Sequence, residues 1–508
     1  MHKLTTRYSY KLLSNVITFF LGFVTAGIVP RNLGPANYGN FNFLTGFFSH
    51  FISILDCGCS SWFYVRLSQN PEQKDILRYF TLVVFIICLV FFTSIGCVFL
   101  LHQENWFWPQ QKKIYILFAA TYGLIVWISN ICEQISDALG FTVYSEIIKI
   151  SQKIIGVAVL LLLLHLSWIN LKSIFIYHIS ITFFVLSIVC FIMYSKKKWS
   201  PSKCSSSTKD YFKDMSIYTW PLISCTIISC GANYLDRWLL QLLVGSKEQG
   251  FFSLALMTSS FCFMFSQSLT QLLIREYSIQ AAKKDFENIA RLFNLYLPLM
   301  YTIAAYFACF ISSQSSNIVK FIGGEKYAEA MMTTAVLAFF SIFQTYGQLS
   351  GSLFLSMDKV KLYRNIGIFF SIIGVPLTYI MVAPLDKYGF GLGSLGLAIK
   401  TVVLQFFWVN TQLFFNTKIL NLRFKKYLWH QFYIIGVLMS LALLAKEIVV
   451  SSIHINYIGI FIISGAIYTS LAYGFVEATH RFKWWHHQEL TQIIIIINRG
   501  LAKMKSYL

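Results

Sequence analysis

An all-helical, polytopic membrane fold is what this sequence predicts, and three observations carry the prediction. Hydrophobic residues fill 56% of the 508 positions and charged residues 12%, about half the share of roughly 25% found in an ordinary soluble domain. With 48 Phe and only 9 Pro, the apolar residues arrive in unbroken blocks. Several blocks exceed the roughly 20 residues that a helix needs to cross a hydrocarbon core of about 30 Å. The segments between them are basic or carry Gly and Pro, and none is longer than about 20 residues. Neither face has room for a folded extramembrane domain.

In chain order the predicted spans are 12–30, 40–64, 79–101, 113–133, 147–168, 172–194, 216–236, 250–274, 293–313, 329–355, 362–384, 391–415, 428–446 and 455–478, fourteen in all. The first follows a short basic stretch, Met1 to Lys11, in the manner of a secretory signal. Pro30-Arg31 follows it in place of a small-x-small cleavage site, so a retained first helix is expected. Of the 41 Lys and Arg residues, with those at span edges counted on the adjoining segment, 29 fall on the terminal segments and even-numbered loops, 10 on the opposite loops, and Lys153 and Lys400 within spans. The positive-inside rule then puts both termini in the cytoplasm. The net charge of +20 is mostly a topology signal, with Lys196-Lys197-Lys198 able to touch anionic headgroups; nucleic acid is not an expected partner. Most of the 11 cysteines lie in apolar stretches without metal-ligand spacing, so no disulfide, metal or cofactor is expected.

The chain repeats itself. Gly34-Pro35-Ala36-Asn37-Tyr38-Gly39-Asn40-Phe41 follows the first span, and Gly245-Ser246-Lys247-Glu248-Gln249-Gly250-Phe251-Phe252 follows the seventh. Both read G-x4-G-x-F, a tight turn with an aromatic anchor at the membrane surface. Each joins the first two helices of a six-helix block, which predicts a lobe over 1–205, a second over 206–420, and two further helices with a basic tail over 421–508. The Lys196 to Asp214 segment, with six lysines and five serines, reads as the interlobe linker. Duplicated six-helix halves are a transporter signature, because two similar lobes rock around a shared cavity.

Polar residues recur at helical spacing inside the spans: Ser49, Ser53, Asp56 and Ser60 in the second, Ser260, Gln267, Gln271 and Arg275 in the eighth, and Ser341, Gln344, Gln348 and Ser352 in the tenth. Such groups are expensive against lipid and face a bundle interior or a watery cavity; packing through interhelical hydrogen bonds is the competing use. Asp56 is either ion-paired or a cavity charge open to proton coupling. Arg66, Arg275 and Lys153 lie near cytoplasmic helix ends, where snorkelling to headgroups competes with anion binding. Lys400, about ten residues into its span, is either paired or faces an aqueous pocket. Glu133 and Asp137 read as a cytoplasmic helix end, and His50, His165 and His178 as isolated core or interface histidines.

The segment Arg31-Asn32-Leu33-Gly34-Pro35-Ala36-Asn37-Tyr38-Gly39-Asn40-Phe41 resembles the R-x-L-G-P-x-x-Y-G-x-[FY] signature of bacterial polysaccharide flippases. These form the Wzx (RfbX-like) branch of the multidrug/oligosaccharidyl-lipid/polysaccharide exporter superfamily. Leu55-Asp56-Cys57-Gly58 with Arg66, Asp236-Arg237 through Gly245 to Phe251-Phe252, and Ile322-Gly323-Gly324-Glu325-Lys326-Tyr327 are similar to further motifs in the same order. Phe252 departs mildly, standing where members often carry Tyr. The resemblance implies a two-lobed, all-helical flippase, a functional monomer with no catalytic residues, moving undecaprenyl-pyrophosphate-linked oligosaccharide across the bacterial inner membrane by alternating access. Membrane lipids, a polysaccharide polymerase and a chain-length regulator are the partners it implies. On this reading Arg66, Arg275, Lys153 and Lys400 hold the anion, and the stripe residues Ser53, Gln267, Gln271, Gln344 and Gln348 meet sugar hydroxyls. Arg31, Asp236 and Arg237 stand at outer helix ends, where the arginines assist release. A cation-coupled multidrug antiporter of the same superfamily and a polytopic glycan polymerase or glycosyltransferase are the alternatives.

Overall fold

The computed structural model describes residues 4–69, 75–139, 141–195, 208–263, 270, 273, 274, 276–281, 283–357, 359–452 and 456–481. Every regular element among them is helical, so the chain is an all-α, multi-pass membrane protein. Ten described helices are long and apolar enough to cross a bilayer, and a bent pair makes an eleventh. The other predicted spans are helical where they are described. The first two lie in one element, α1 (Leu4–Asp56). The seventh lies in α8 (Thr208–Leu243). The eighth begins in α9 (Ser246–Ser260) and runs partly outside the described residues.

Two breaks near the N-terminus have local causes. At Gly34 the backbone takes φ 74 and ψ 169, a region open in practice to glycine alone, and Pro35 then withholds an N–H from the ladder. The predicted span 40–64 is not continuous: Cys57 (φ 44) and Gly58 (φ 88) are left-handed, and the chain bends by 61° into α2 (Cys59–Gln69). Asp56 begins that helix as a cap, accepting from the Ser60 N–H at 3.2 Å and the Ser60 hydroxyl at 2.5 Å. The interlobe linker, predicted to reach Asp214, is helical from Thr208; its residues 196–207 lie outside the described residues, as does the basic tail from 482.

The chain clusters into two compact units, Met1–Gly250 and Phe251–Leu508, so α8 and the start of α9 go with the first. The first unit also contains α3 (Asp75–Leu100), α4 (Glu104–Phe107), α5 (Lys113–Ala138), α6 (Thr142–His165) and α7 (Leu171–Ser195). There α1 packs on α5, α6 and α8, and α5 on α7. One core gathers Trp62, Phe63, Phe80 and Ile135, with the Phe63 and Phe80 rings stacked at 4.0 Å, a geometry worth about 0.5–1.5 kcal/mol beyond area burial.

The second unit contains α10 (Phe286–Ser313), α11 (Ser315–Gly323), α12 (Met331–Leu337), α13 (Phe340–Ser356), α14 (Val360–Val382), α15 (Gly393–Ile419), α16 (Phe424–Ser452) and α17 (Tyr457–Arg481). Its core is tyrosine-rich, with Tyr301, Tyr346, Tyr427 and Tyr468 all buried. Polar groups away from water need internal partners, and many here have them. Asn410 and Gln431 exchange two amide bonds of 3.2 and 2.8 Å, and the Asn416 amide donates to the Ser350 carbonyl at 3.0 Å. The Lys446 ammonium donates to the Ser313 carbonyl at 2.9 Å, a cation where the α10 dipole ends negative.

Candidate functional site

The two G-x4-G segments touch each other, and reciprocally. A methyl group on Gly39 would stand 2.0 Å from the Ser246 carbonyl oxygen, and one on Gly250 would stand 2.0 Å from the Pro35 carbonyl oxygen. Gly39 and Gly250 are the second glycines of their copies; Pro35 and Ser246 each follow the first. The contact therefore has the self-complementary form of a two-fold interface. All four residues belong to the first unit.

The loop His102–Lys112 lies over this seam. Its Trp108 is buried against Phe47 and Phe48 of α1, ring centroids 5.3 and 5.7 Å away. The Gln111 amide donates to Asn40 at 2.7 Å, one residue past the first copy. On the side of the second copy, the Tyr234 hydroxyl donates to the Phe107 carbonyl and the Trp238 indole to the Trp106 carbonyl, each at 2.8 Å. Gln241 reaches the Ser246 hydroxyl at 2.9 Å. Glu104 and Lys113 close the base of the loop at 2.7 Å, and that hydrogen bond holds the Glu104 carboxyl below the usual range. The sequence names this loop nowhere as functional; only the spaced glycines point to the seam.

The predicted site residues of the first unit fall at several places. Ser53 is exposed and returns its hydroxyl to the Ser49 carbonyl at 2.8 Å, and Asp56 serves as the cap of α2. Arg66 grips Asp214 as a fork, with Nε to Oδ2 at 2.7 Å, and the Trp62 indole adds 3.0 Å to the same oxygen. This donation holds the Asp214 carboxyl below the usual carboxylate range. Lys153 is half-buried in the middle of α6, within electrostatic reach of His178. The His178 ring stacks on Phe41 at 5.2 Å and lies 5.4 Å from Tyr122. Among the described residues no carboxylate pairs with Lys153; Glu133 and Glu146 are both taken by Lys149, at 2.9 and 3.6 Å. Arg31 is exposed, and Asp236 and Arg237 are half-buried in α8, Arg237 within electrostatic reach of Tyr38 and His50.

In the second unit Lys400 is buried, with its ammonium turned to Gly374, where a methyl would stand 3.2 Å from Nζ. Gln344 accepts from Gln405 at 3.0 Å, and Gln348 is half-buried one turn on. The flanking Ser341 bonds to the Ala338 carbonyl just before its helix, and Ser352 to the Leu349 carbonyl within it. Gln267, Gln271 and Arg275 lie outside the described residues. Among the described residues no cluster of three or more His, Cys, Asp or Glu has a metal-binding arrangement.

A family profile described as polysaccharide biosynthesis protein matches residues 4–273, more than half of the chain. The chain belongs to that family. As a polysaccharide biosynthesis protein it has structural likenesses among transporters. The lipid II flippase MurJ, in an inward closed conformation, is 13% identical with a TM-score of 0.67, covering 92% of this chain and 99% of that one. An inward-facing multidrug resistance MATE family transporter of the MOP superfamily is 12% identical with a TM-score of 0.62, covering 80% and 99%. A MATE transporter in complex with MaL6 gives 13% and 0.55, covering 82% and 95%. Among curated proteins none matches this family member significantly. At such identities the likenesses speak for the fold.

Proposed function

We propose that this protein is a flippase, carrying undecaprenyl-pyrophosphate-linked oligosaccharide units from the cytoplasmic to the periplasmic leaflet of the bacterial inner membrane for O-antigen or capsule assembly. The family match over residues 4–273 is the observation that carries this reading, and a fold like that of a lipid-linked headgroup exporter supports it. It makes and breaks no bond, works as a monomer by alternating access between the lobes 1–205 and 206–420, and keeps both termini in the cytoplasm. A polysaccharide polymerase and a chain-length regulator act after it.

A sugar headgroup with a pyrophosphate pays a large desolvation penalty in hydrocarbon, so the path must supply hydrogen bonds and positive charge. Lys153, without a carboxylate partner among the described residues, is the cation in the first unit most available to the anion. Lys400 and Arg275 are assigned the same task in the second lobe. Arg66 reaches the anion only by releasing Asp214. Ser53, Gln267, Gln271, Gln344 and Gln348 are assigned to sugar hydroxyls, Asp56 to the charge balance of the path, and Arg31 and Arg237, beside Asp236, to release.

The second reading, a cation-coupled multidrug antiporter, is favoured by the MATE-like fold. A deletion strain separates the two. Accumulation of lipid-linked repeat units on the cytoplasmic leaflet, relieved by the gene, is expected of the flippase. Normal glycan export with lost efflux of cationic dyes overturns it.

A further inference from the structure

We propose that the loop His102–Lys112 is a latch: it bolts the two G-x4-G segments together at the outer end of the first unit and lets go once in each export cycle. The inference rests on the flippase reading for its cycle and on the first unit for its geometry.

The seam itself is backbone against backbone, held by the absence of side chains at Gly39 and Gly250. At the glycines the contact is close but shallow, because bare backbone offers no side chain to interlock; beside it Phe47 of α1 and Tyr234 of α8 meet edge to face at 4.9 Å, and the seam itself needs something across it. The loop supplies that. It bonds Asn40 beside the first copy through Gln111, and it receives Tyr234 and Trp238 from the helix leading into the second. The Gln110 amide oxygen lies 3.5 Å from where a Gly245 methyl would stand. These ties are neutral, so breaking them strands no charge. The Glu104–Lys113 pair closes the loop on itself, so it moves as one piece.

The closed arrangement also carries a cost that opening relieves. Gln249, fully buried inside the second copy, finds no partner among the described residues for either end of its amide. The amide oxygens of Gln111 and Gln241, on the two sides of the latch, are buried without a partner as well. Unmatched amides disfavour the shut state. Water reaching a parted seam satisfies all three, which makes the latch bistable rather than a fixed brace.

The test uses the full-length protein in cells with Asn40→Cys and Gln111→Cys together, bridged by a short bis-methanethiosulfonate crosslinker, which joins the two cysteines through reducible disulfides. A buried residue next to the first copy, Leu33→Cys, reports opening through an impermeant maleimide, against the same protein without that cysteine as background. Bridging is expected to stop glycan export and reduce Leu33→Cys labelling to background, with reductant restoring both. Glu104→Gln, which frees the base of the loop, is expected to raise labelling and serves if the cysteine pair does not fold. Unchanged export or unchanged labelling after bridging overturns the latch. Labelling needs no substrate: labelling that follows the bridge in a protein that exports no glycan upholds the latch and rejects the flippase reading.

Discussion

Lys153 and Arg66 look alike in the sequence and differ in the structure. Both are single cations near the predicted cytoplasmic half of a span. Arg66 has its fork filled by Asp214 at 2.5 and 2.7 Å, whereas Lys153 lies within electrostatic reach of His178 and has no carboxylate partner among the described residues. A half-buried ammonium without a carboxylate is costly in a membrane unless something anionic visits it. Loss of one charged hydrogen bond to a phosphate, about 1.5–3 kcal/mol, corresponds to roughly a 10- to 100-fold fall in rate. Lys153→Ala is therefore expected to reduce export by about that factor at unchanged membrane abundance, with Lys153→Arg retaining most of it; equal export by Lys153→Ala removes the residue from the path. For Asp214 the expectation concerns stability. Its folded-state pKa is depressed by Arg66, so the pair's contribution is complete above the ordinary carboxylate value of about 3.9 and lost as pH falls through the lowered one. Both side chains are about two-fifths exposed, which limits that contribution to about 1 kcal/mol or less. Thermal unfolding in detergent should find Asp214→Asn slightly less stable at pH 7 and indistinguishable from the parent in strong acid. A gap that persists in acid assigns the loss to packing.

At the scale of elements, what was legible in the sequence is what hydropathy period and charge can carry. The ten span helices match predicted blocks because each block is long, apolar and bounded by charge. The break at Cys57-Gly58 was hidden, since residues on both sides stay apolar and only a left-handed pair turns the chain. The serine stripes were legible as a face but not as a use: a serine hydroxyl also reaches a carbonyl three or four residues back, and Ser53, Ser341 and Ser352 bond to Ser49, Ala338 and Leu349. The Arg66–Asp214 fork joins residues 148 apart, beyond the reach of any local pattern. The repeat was the exception, because a motif seen twice became a contact made twice. Its test is Gly39→Ala. Alanine favours a helix by about 1 kcal/mol over glycine, but its methyl would sit 2.0 Å from the Ser246 carbonyl oxygen, an overlap no side-chain rotation relieves. Steric exclusion wins over propensity, so the seam parts. The variant should remain folded, show raised labelling of Leu33→Cys from outside and export poorly; a seam still closed to the reagent would mean that the neighbouring backbone yields instead.

For the whole molecule the open question is what drives the cycle, and the role of Asp56 bears on it. A carboxylate in a span invites a proton-coupling role, yet here the Asp56 carboxylate accepts from the Ser60 N–H and hydroxyl at the start of α2. Asparagine caps a helix about as well as aspartate, so Asp56→Asn keeps the bend and removes the titratable group with its charge. The alternative source is the membrane potential, which acts on each charge with roughly 2.3 kcal/mol per 100 mV. For an anionic headgroup moving outward from a negative interior, the sign is favourable. If the potential drives export, Asp56→Asn transports near the parental rate, collapse of the potential by a potassium ionophore slows both proteins alike, and collapse of the pH gradient alone slows neither. Proton coupling through Asp56 requires the reverse: a variant that fails to export at any potential and a parent that stalls when the pH gradient is removed. Transport into energised vesicles, with the two gradients set independently, distinguishes these outcomes, since they differ in which protein and which gradient matter.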